Sequence, residues 1–246
     1  YDVGYTEDGG SEIFLEDHPS LSRLEEVNDL LAPIFGCAAF TQRNDLIAAY
    51  GLSPSVSTLM FTPFEGTLHS GKLIAALWDL ATRAGVHIRT GAEVVTMRDT
   101  HTSVELNVRT AHQDILITAS QTVVATNAMI PSLVPAATLP EILPGRGQVI
   151  VTKPLTNLKL KGSFHADEGY YYFRSVGNRV LLGGGRNLDF VGERTTSHQT
   201  TEHIQSVLEN MLRSVILPNH PELEIEHRWA GTMAFTYRNP ERSTEP

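Results

Sequence analysis

One stretch constrains the fold of this chain more than any other: Gly169-Tyr-Tyr-Tyr-Phe-Arg-Ser-Val-Gly-Asn-Arg-Val-Leu-Leu-Gly-Gly-Gly-Arg186. Two runs of β-branched and aromatic residues flank Gly177-Asn178, a pair that accepts the positive φ of a tight turn. The pattern predicts a β-hairpin. Side chains alternate along a strand, so a regular first strand places Tyr170, Tyr172 and Arg174 on one face and Tyr171 and Phe173 on the other. The first of these faces is polar, aromatic and cationic. An ordinary antiparallel strand whose tyrosines cover a sheet shows the same pattern, so its meaning depends on the rest of the chain.

Upstream, residues 1–16 are acidic and punctuated by Gly4, Gly9 and Gly10, with a short strand predicted at Ile13-Phe-Leu15. Leu21, Leu24, Val27 or Asn28, and Leu31 recur at helical spacing behind a possible capping box, Ser22-x-x-Glu25, with Pro33 and Gly36 as stops. A short helix is predicted over 45–51 and a strand over 58–61. Leu73, Leu77, Leu80, Ala81 and Ala84 line one face of a further helix, and Gly85 stands where a left-handed cap ends it. Strands are predicted at 86–90, 93–98, 104–110, 114–118 and 122–128. Residues 129–144 hold four of the thirteen prolines and read as a connector. An entering strand over 145–154 is apolar on both faces at Val149 to Val151. A long helix is predicted over 197–215 from Ile204, Val207, Leu208, Met211, Leu212 and Val215, with Thr196-x-x-Gln199 as a possible capping box and Pro218 and Pro221 beyond its end. The last strand, 222–235, is expected to be interrupted at Trp229-Ala-Gly231.

Composition narrows the function classes. Among 246 residues, 41% are hydrophobic and 19% charged, the balance of a globular chain. No apolar run reaches the ~18 residues needed to cross a bilayer, and no basic-then-apolar leader opens the chain. A cytoplasmic protein without a membrane partner is the expectation. A formal charge of −9 argues against a broad phosphate-binding surface, so nucleic acid is not an expected partner. Cys37 is the one cysteine, which rules out an internal disulfide and a cysteine metal cage. Its setting, Phe35-Gly-Cys-Ala-Ala-Phe40, predicts a buried small hydrophobe. The ten histidines show no ligand pair at helical spacing, so no metal site is expected.

Seven pieces, in order, carry a resemblance: Glu65-Gly-Thr-Leu, Ala84-Gly-Val-His-Ile-Arg-Thr-Gly-Ala-Glu-Val94, Val123-Val-Ala-Thr-Asn-Ala128, Arg146-Gly-Gln-Val-Ile-Val-Thr152, Tyr170 to Arg174, Leu182-Gly-Gly-Gly-Arg186 and Arg228-Trp-Ala-Gly231. Together they resemble the FAD-dependent oxidoreductases of the D-amino acid oxidase superfamily, the group of glycine, sarcosine and amine oxidases. The resemblance implies an α/β (α+β) chain in which an incomplete, Rossmann-like FAD-binding domain is joined to a substrate domain built on a mostly antiparallel sheet. The implied division is 1–62 substrate-domain part, 63–143 FAD-binding part with a β-meander, 144–232 substrate domain, and 233–246 returning towards the FAD-binding domain. It further implies FAD as cofactor, a small amine or amino acid as substrate, and oxidation of a C–N bond by hydride transfer to the flavin. Tyr170 and Arg174 are the candidate catalytic residues; Arg146, Gln148, Tyr172 and Met233 are the substrate-binding candidates; Val94, Ala125, Thr126 and Asn127 are the cofactor-binding candidates. Arg174 and Arg186 stand either as binders of an acidic group or as partners of structural carboxylates.

Two departures qualify this expectation. The dinucleotide fingerprint Gly-x-Gly-x-x-Gly, whose backbone N–H groups meet a pyrophosphate at a helix N-terminus, does not occur in these residues in the required context. Both ends therefore read as cut, and the alternative is a non-catalytic α+β binding or assembly module that holds no flavin. Relatives in this group also commonly follow Trp-Ala-Gly with Leu-Arg-Pro, whose arginine clamps a substrate carboxylate. Here Thr232-Met-Ala234 follows, with Met233 at the arginine position. Either another cation such as Arg174 or Arg146 takes over, or the substrate is an amine without an α-carboxylate.

Overall fold

A computed structural model describes residues 1–135 and 141–237. The chain forms a mixed α/β fold in two compact units. The first comprises Tyr1–Leu77, Gly147–Phe190 and His198–Gly231, and the second Trp78–Arg146, Val191–Ser197 and the described residues from Thr232 on.

The large sheet uses eight strands: β1 (Gly10–Phe14), β2 (Thr41–Gln42), β3 (Thr58–Thr62), β7 (Glu141–Thr152), β8 (Ser163–Ala166), β9 (Tyr171–Val176), β10 (Arg179–Gly184) and β11 (Ile225–Tyr237). Their order is β11-β7-β10-β9-β8-β1-β3-β2. The predicted hairpin is β9–β10, closed by Gly177-Asn178, where Gly177 takes φ 60°. β8 continues it antiparallel to β9, and β1 then joins β8 in parallel, a non-local pairing across 153 residues of chain.

One face of this sheet is packed. Ile13, Leu59, Ile150, Phe164, Phe173 and Leu182 point to it and are essentially inaccessible, with the Phe164 and Phe173 rings stacked at 4.7 Å. Against them lies α4 (Glu202–Met211) with its π-helical extension Leu212–Ile216, contributing Ile204, Leu208, Leu212 and Ile216. Burial of each such side chain stabilises the fold by about 1.5 to 3 kcal/mol.

The helix starts five residues later than its sequence pattern predicts, and neither expected capping box forms. Thr196 to Thr200 lie outside any helix, and Thr201 is the N-cap, held by a buried side chain. Gln148 Oε1 accepts from the Thr201 N–H (3.0 Å) and from Gln205 Nε2 (3.2 Å), while Gln148 Nε2 donates to Thr201 Oγ1 (2.9 Å). Likewise, Ser22 sits in a 3-10 turn (Pro19–Arg23) and donates to the Pro19 carbonyl, so α1 (Leu24–Phe35) begins beyond it, tolerates Pro33 and ends at left-handed Gly36. α2 (Asp45–Ala49) matches its prediction. Cys37 is exposed, not buried: the bend after α1 turns it outward and Ala39 takes the inner position. β11 is continuous through Trp229-Ala-Gly231, where an interruption was expected.

The second unit carries β4 (Ala92–Asp99), β5 (Val104–Thr110) and β6 (Asp114–Ala119), an antiparallel meander in the order β4-β5-β6. α3 (Ser70–Arg83) enters this unit at Trp78 and stops at Gly85, which takes φ 85°. The strands expected at 86–90 and 122–128 do not form. A strand exists by virtue of a partner for its N–H and C=O groups, and neither segment enters a ladder among the described residues. A 3-10 turn, Asn127–Ser132, replaces the end of the second. No helix among the described residues is long and apolar enough to cross a membrane.

Candidate functional site

The face of the large sheet opposite α4 is chemically different. Register puts Met60, Glu12, His165, Tyr172, Gly183 and Val149 in one cross-strand row running from β3 to β7. A second row holds Thr62, Gly10, Ser163, Arg174, Leu181 and Val151. Directly opposed residues have Cβ atoms about 4.5 to 5.5 Å apart. Glu12, His165 and Tyr172 are therefore neighbours along the row at their Cβ atoms, with Arg174 one row away, and the Tyr172 ring leans away from His165 over Gly183. Among the described residues none of Glu12, His165 and Tyr172 has a side-chain hydrogen bond or ion pair.

Tyr172 owes its position to glycine. A Cβ on Gly183 would lie 2.5 Å from Tyr172 Cζ and Oη, so only a residue without a side chain lets the ring lie across β10. Burial of the ring against the sheet pushes the phenol above its ordinary range, although 37% of the residue stays accessible. At neutral pH it is a protonated donor.

Arg174 is anchored at one nitrogen, with Nη1 donating to the Leu68 carbonyl at 2.7 Å. The same loop places the Glu65 carboxylate over Gly10, where it accepts from Ser163 Oγ at 3.0 Å. The segment Glu65-Gly-Thr-Leu is thereby fastened along the second row. Arg174 thus positions this loop and presents its remaining donors to the face.

Tyr170 departs from the predicted alternation. It precedes β9, and its backbone sits in the turn: its N–H donates to the Asp167 carbonyl and its carbonyl accepts from Gly185. The ring rests edge-on against Phe190 at 5.8 Å and against the packed core, so it does not share the face of Tyr172 and Arg174. Arg186 lies over the Phe190 ring at 5.0 Å.

Two substrate-binding candidates are engaged elsewhere. Arg146 is buried and paired with Glu193, Nε to Oε2 at 2.8 Å and Nη2 to Oε1 at 2.6 Å, a bidentate ion pair inside the second unit. Its guanidinium is not turned to a ligand because an equally buried carboxylate neutralises it. Gln148 points to the α4 side of the sheet and caps the helix, as described above. Met233 lies on β11 in the second unit and is 40% exposed.

The cofactor-binding candidates also lie in the second unit. Val94 is on β4, an edge strand, beside a bulge: Val94 opposes Val108 and Thr96 opposes Asn107, leaving Val95 without a partner on β5. Ala125 and Thr126 are exposed, and Asn127 takes φ 52° while its Nδ2 donates to the Thr232 carbonyl at 2.9 Å. The structure so brings Asn127 next to the strand that carries Met233.

Sequence reasoning missed Glu12 and His165. Each sits at an alternating position of its own strand, between residues that face the core, Ser11 and Ile13 for Glu12, Phe164 and Ala166 for His165. That local signal was legible, but their adjacency depends on the parallel β1–β8 pairing, which no local pattern encodes.

Comparison with known proteins agrees with this architecture. No curated protein matches the sequence. Among solved structures, glycine oxidase from Geobacillus kaustophilus matches with a TM-score of 0.75 at 18% identity, covering 98% of this chain and 64% of that one. Glycine oxidase from Bacillus cereus ATCC 14579 gives 0.74 at 18% identity, covering 95% and 62%. L-proline dehydrogenase from P. horikoshii gives 0.72 at 17% identity, covering 94% and 62%. The chain thus spans a little under two thirds of these proteins' lengths, and the likeness is one of fold. The family model DAO, FAD dependent oxidoreductase, matches residues 1–243, and by that match the chain belongs to this FAD-dependent family.

Proposed function

We propose that this chain supplies the substrate-facing sheet and part of the cofactor domain of an oxidoreductase that oxidises a C–N bond of an amine or amino acid. The observation that carries the reading is the row Glu12–His165–Tyr172, three ionisable or hydrogen-bonding side chains without a side-chain partner among the described residues, with Arg174 beside it, on one face of a sheet whose other face is closed. In this reading the first unit is the substrate domain and the second is part of the FAD-binding domain.

The residues present fit the cofactor at two places. The unpartnered backbone at Val95, next to Val94 on an edge strand, suits the adenosine end, and the exposed Ala125-Thr-Asn127 turn suits the neighbourhood of a pyrophosphate. Bound FAD would supply the acceptor for the hydride. The chain's own residues do the positioning. Glu12 attracts a cationic amine to the face. His165, next to it, is the group placed to take the amine's proton. Tyr172 donates a hydrogen bond from a phenol that stays protonated. With Arg146 neutralised by Glu193 and a methionine at position 233, Arg174 is the cation left to hold a carboxylate, so substrates with and without one are distinguished at that residue.

The test is anaerobic addition of primary amines and of α-amino acids to the FAD-loaded protein, followed by the visible band of oxidised flavin. Bleaching is expected. Arg174→Ala should raise KM for amino acids by about tenfold, the order expected for one charge-assisted contact, and leave simple amines unaffected. A colourless protein that FAD cannot reconstitute, in a polypeptide carrying a Gly-x-Gly-x-x-Gly segment, would refute the reading.

A further inference from the structure

On the α4 side of the first unit, away from the row just described, the ends of β1 and β8 and the helix enclose a cavity of about 460 Å³. That volume lies within the range of small-molecule sites. Its floor is apolar: Ile13, Leu15, Val207, Met211 and Val215. Its mouth is acidic, with Glu16 on one side and Asp167 and Glu168 on the other. Among the described residues no lysine or arginine lines it, and the one basic side chain there, His18, stands 3.7 Å from Glu168. Asp167 and Glu168 both hold left-handed backbone conformations (φ 52° and 54°), which fixes the loop that carries the two carboxylates at the mouth.

A second observation comes from Tyr171, which also lines this cavity. It is 92% buried (8% accessible), yet its hydroxyl has no hydrogen-bond partner among the described residues. The hydroxyl atom itself keeps some accessible surface, so it is a polar group open to a ligand. Burial, reinforced by the nearby Asp167 charge, pushes this phenol up, so it stays neutral and able to donate or accept.

We infer that this cavity is a second ligand site, separate from the oxidising face, for a small organic cation: an alkylammonium whose chain lies on the Ile13–Met211 floor and whose ammonium group sits among Glu16, Asp167 and Glu168. The charge of the mouth selects the cation over an alcohol or a carboxylate of the same length. The floor selects a hydrocarbon chain over bare ammonium. The inference requires no flavin, so it stands or falls separately from the proposed oxidation.

The experiment is calorimetric titration of the purified protein with hexylammonium chloride, with hexanol and ammonium chloride as controls. Saturable binding of hexylammonium is expected, with each control at least tenfold weaker. The double variant Glu16→Gln/Glu168→Gln alters two exposed side chains and should weaken binding by about tenfold, the order expected for two partly solvated charges. Asn210→Trp, at an exposed helix position on the cavity wall, should block it. A Lys153→Ala variant, at an exposed position outside the cavity, should bind unchanged. Absence of saturable binding, or binding that survives both cavity changes, would overturn the inference, as would binding lost in the Lys153→Ala variant.

Discussion

At the scale of single residues, the candidate site depends on an absence of side chain. Gly183 faces Tyr172 across β9 and β10, and any Cβ there would meet the phenol at 2.5 Å. In a Gly183→Val variant the ring must swing off the sheet into solvent. The chain has seven tyrosines, and burial raises the phenols of Tyr50, Tyr171 and Tyr172. Ultraviolet titration of the variant should therefore show one raised phenol returning to the ordinary range. An unchanged titration would mean that the ring does not depend on Gly183. A different residue-scale account applies to Arg146. Its ion pair with Glu193 is buried on both sides, with 7% and 1% of the side chains accessible. Arg146→Ala strands a buried carboxylate and should cost about 3 to 5 kcal/mol in urea unfolding. Replacing both partners by leucine should recover most of that loss, because the cost is the uncompensated charge rather than the missing contact. A loss of activity in Arg146→Ala without loss of stability would return this residue to the substrate.

At the scale of elements, α4 shows where sequence pattern is informative and where it stops. Ile204, Leu208 and Val215 recur at helical spacing because each must reach the same buried sheet face, and that requirement is written locally. The start of the helix is not local. It is set by Gln148, 53 residues before Thr201, whose side chain occupies the backbone N–H that a capping box would have used. The β9–β10 hairpin was legible for the same reason as the helix core, since a two-residue turn joins its strands. The Glu12–His165 adjacency and the engagement of Arg146 by Glu193 were not legible, since both are made by segments distant in the chain. The extended segments 86–90 and 122–128 mark the reverse limit: the strand pattern is present, but no ladder among the described residues receives them. Gln148→Leu tests the cap. It removes the hydrogen bonds to Thr201 and Gln205 and leaves those groups unsatisfied near α4, so stability should fall by about 1 to 3 kcal/mol. Amide exchange in the first turn of α4 should quicken more than in β9. Uniform protection in the variant would show that the helix start is held by packing alone.

At the scale of the whole molecule, the titrating groups define a pH window for stability, and its two limbs have different origins. Glu209 accepts hydrogen bonds from Arg228 and Arg213, which hold its carboxyl below the ordinary 4.5. The paired carboxylates of Asp2, Glu26 and Asp45 are lowered for the same kind of reason, by Lys72, Arg23 and Arg43, but they are fully exposed and contribute little. A group with a lowered folded pKa stabilises the fold above its unfolded value, and that contribution is lost as pH falls through the folded one. The acid limb should therefore begin below about 4.5 and be shallower in Glu209→Gln. On the alkaline side the sign reverses. Tyr50, Tyr171 and Tyr172 are raised above 10.0 by burial, so above that pH the unfolded chain ionises first and stability declines as pH rises through the folded values. Self-repulsion from a chain already at −9 at neutral pH adds to the decline. Thermal midpoints measured at constant ionic strength should be flat between these limbs. Tyr172→Phe should flatten the alkaline one, because a ring that cannot ionise gives the unfolded state no advantage there. An alkaline limb of unaltered slope in Tyr172→Phe would take Tyr172 out of the account and leave Tyr50, Tyr171 and net charge, of which the last is the part that raising the salt concentration weakens.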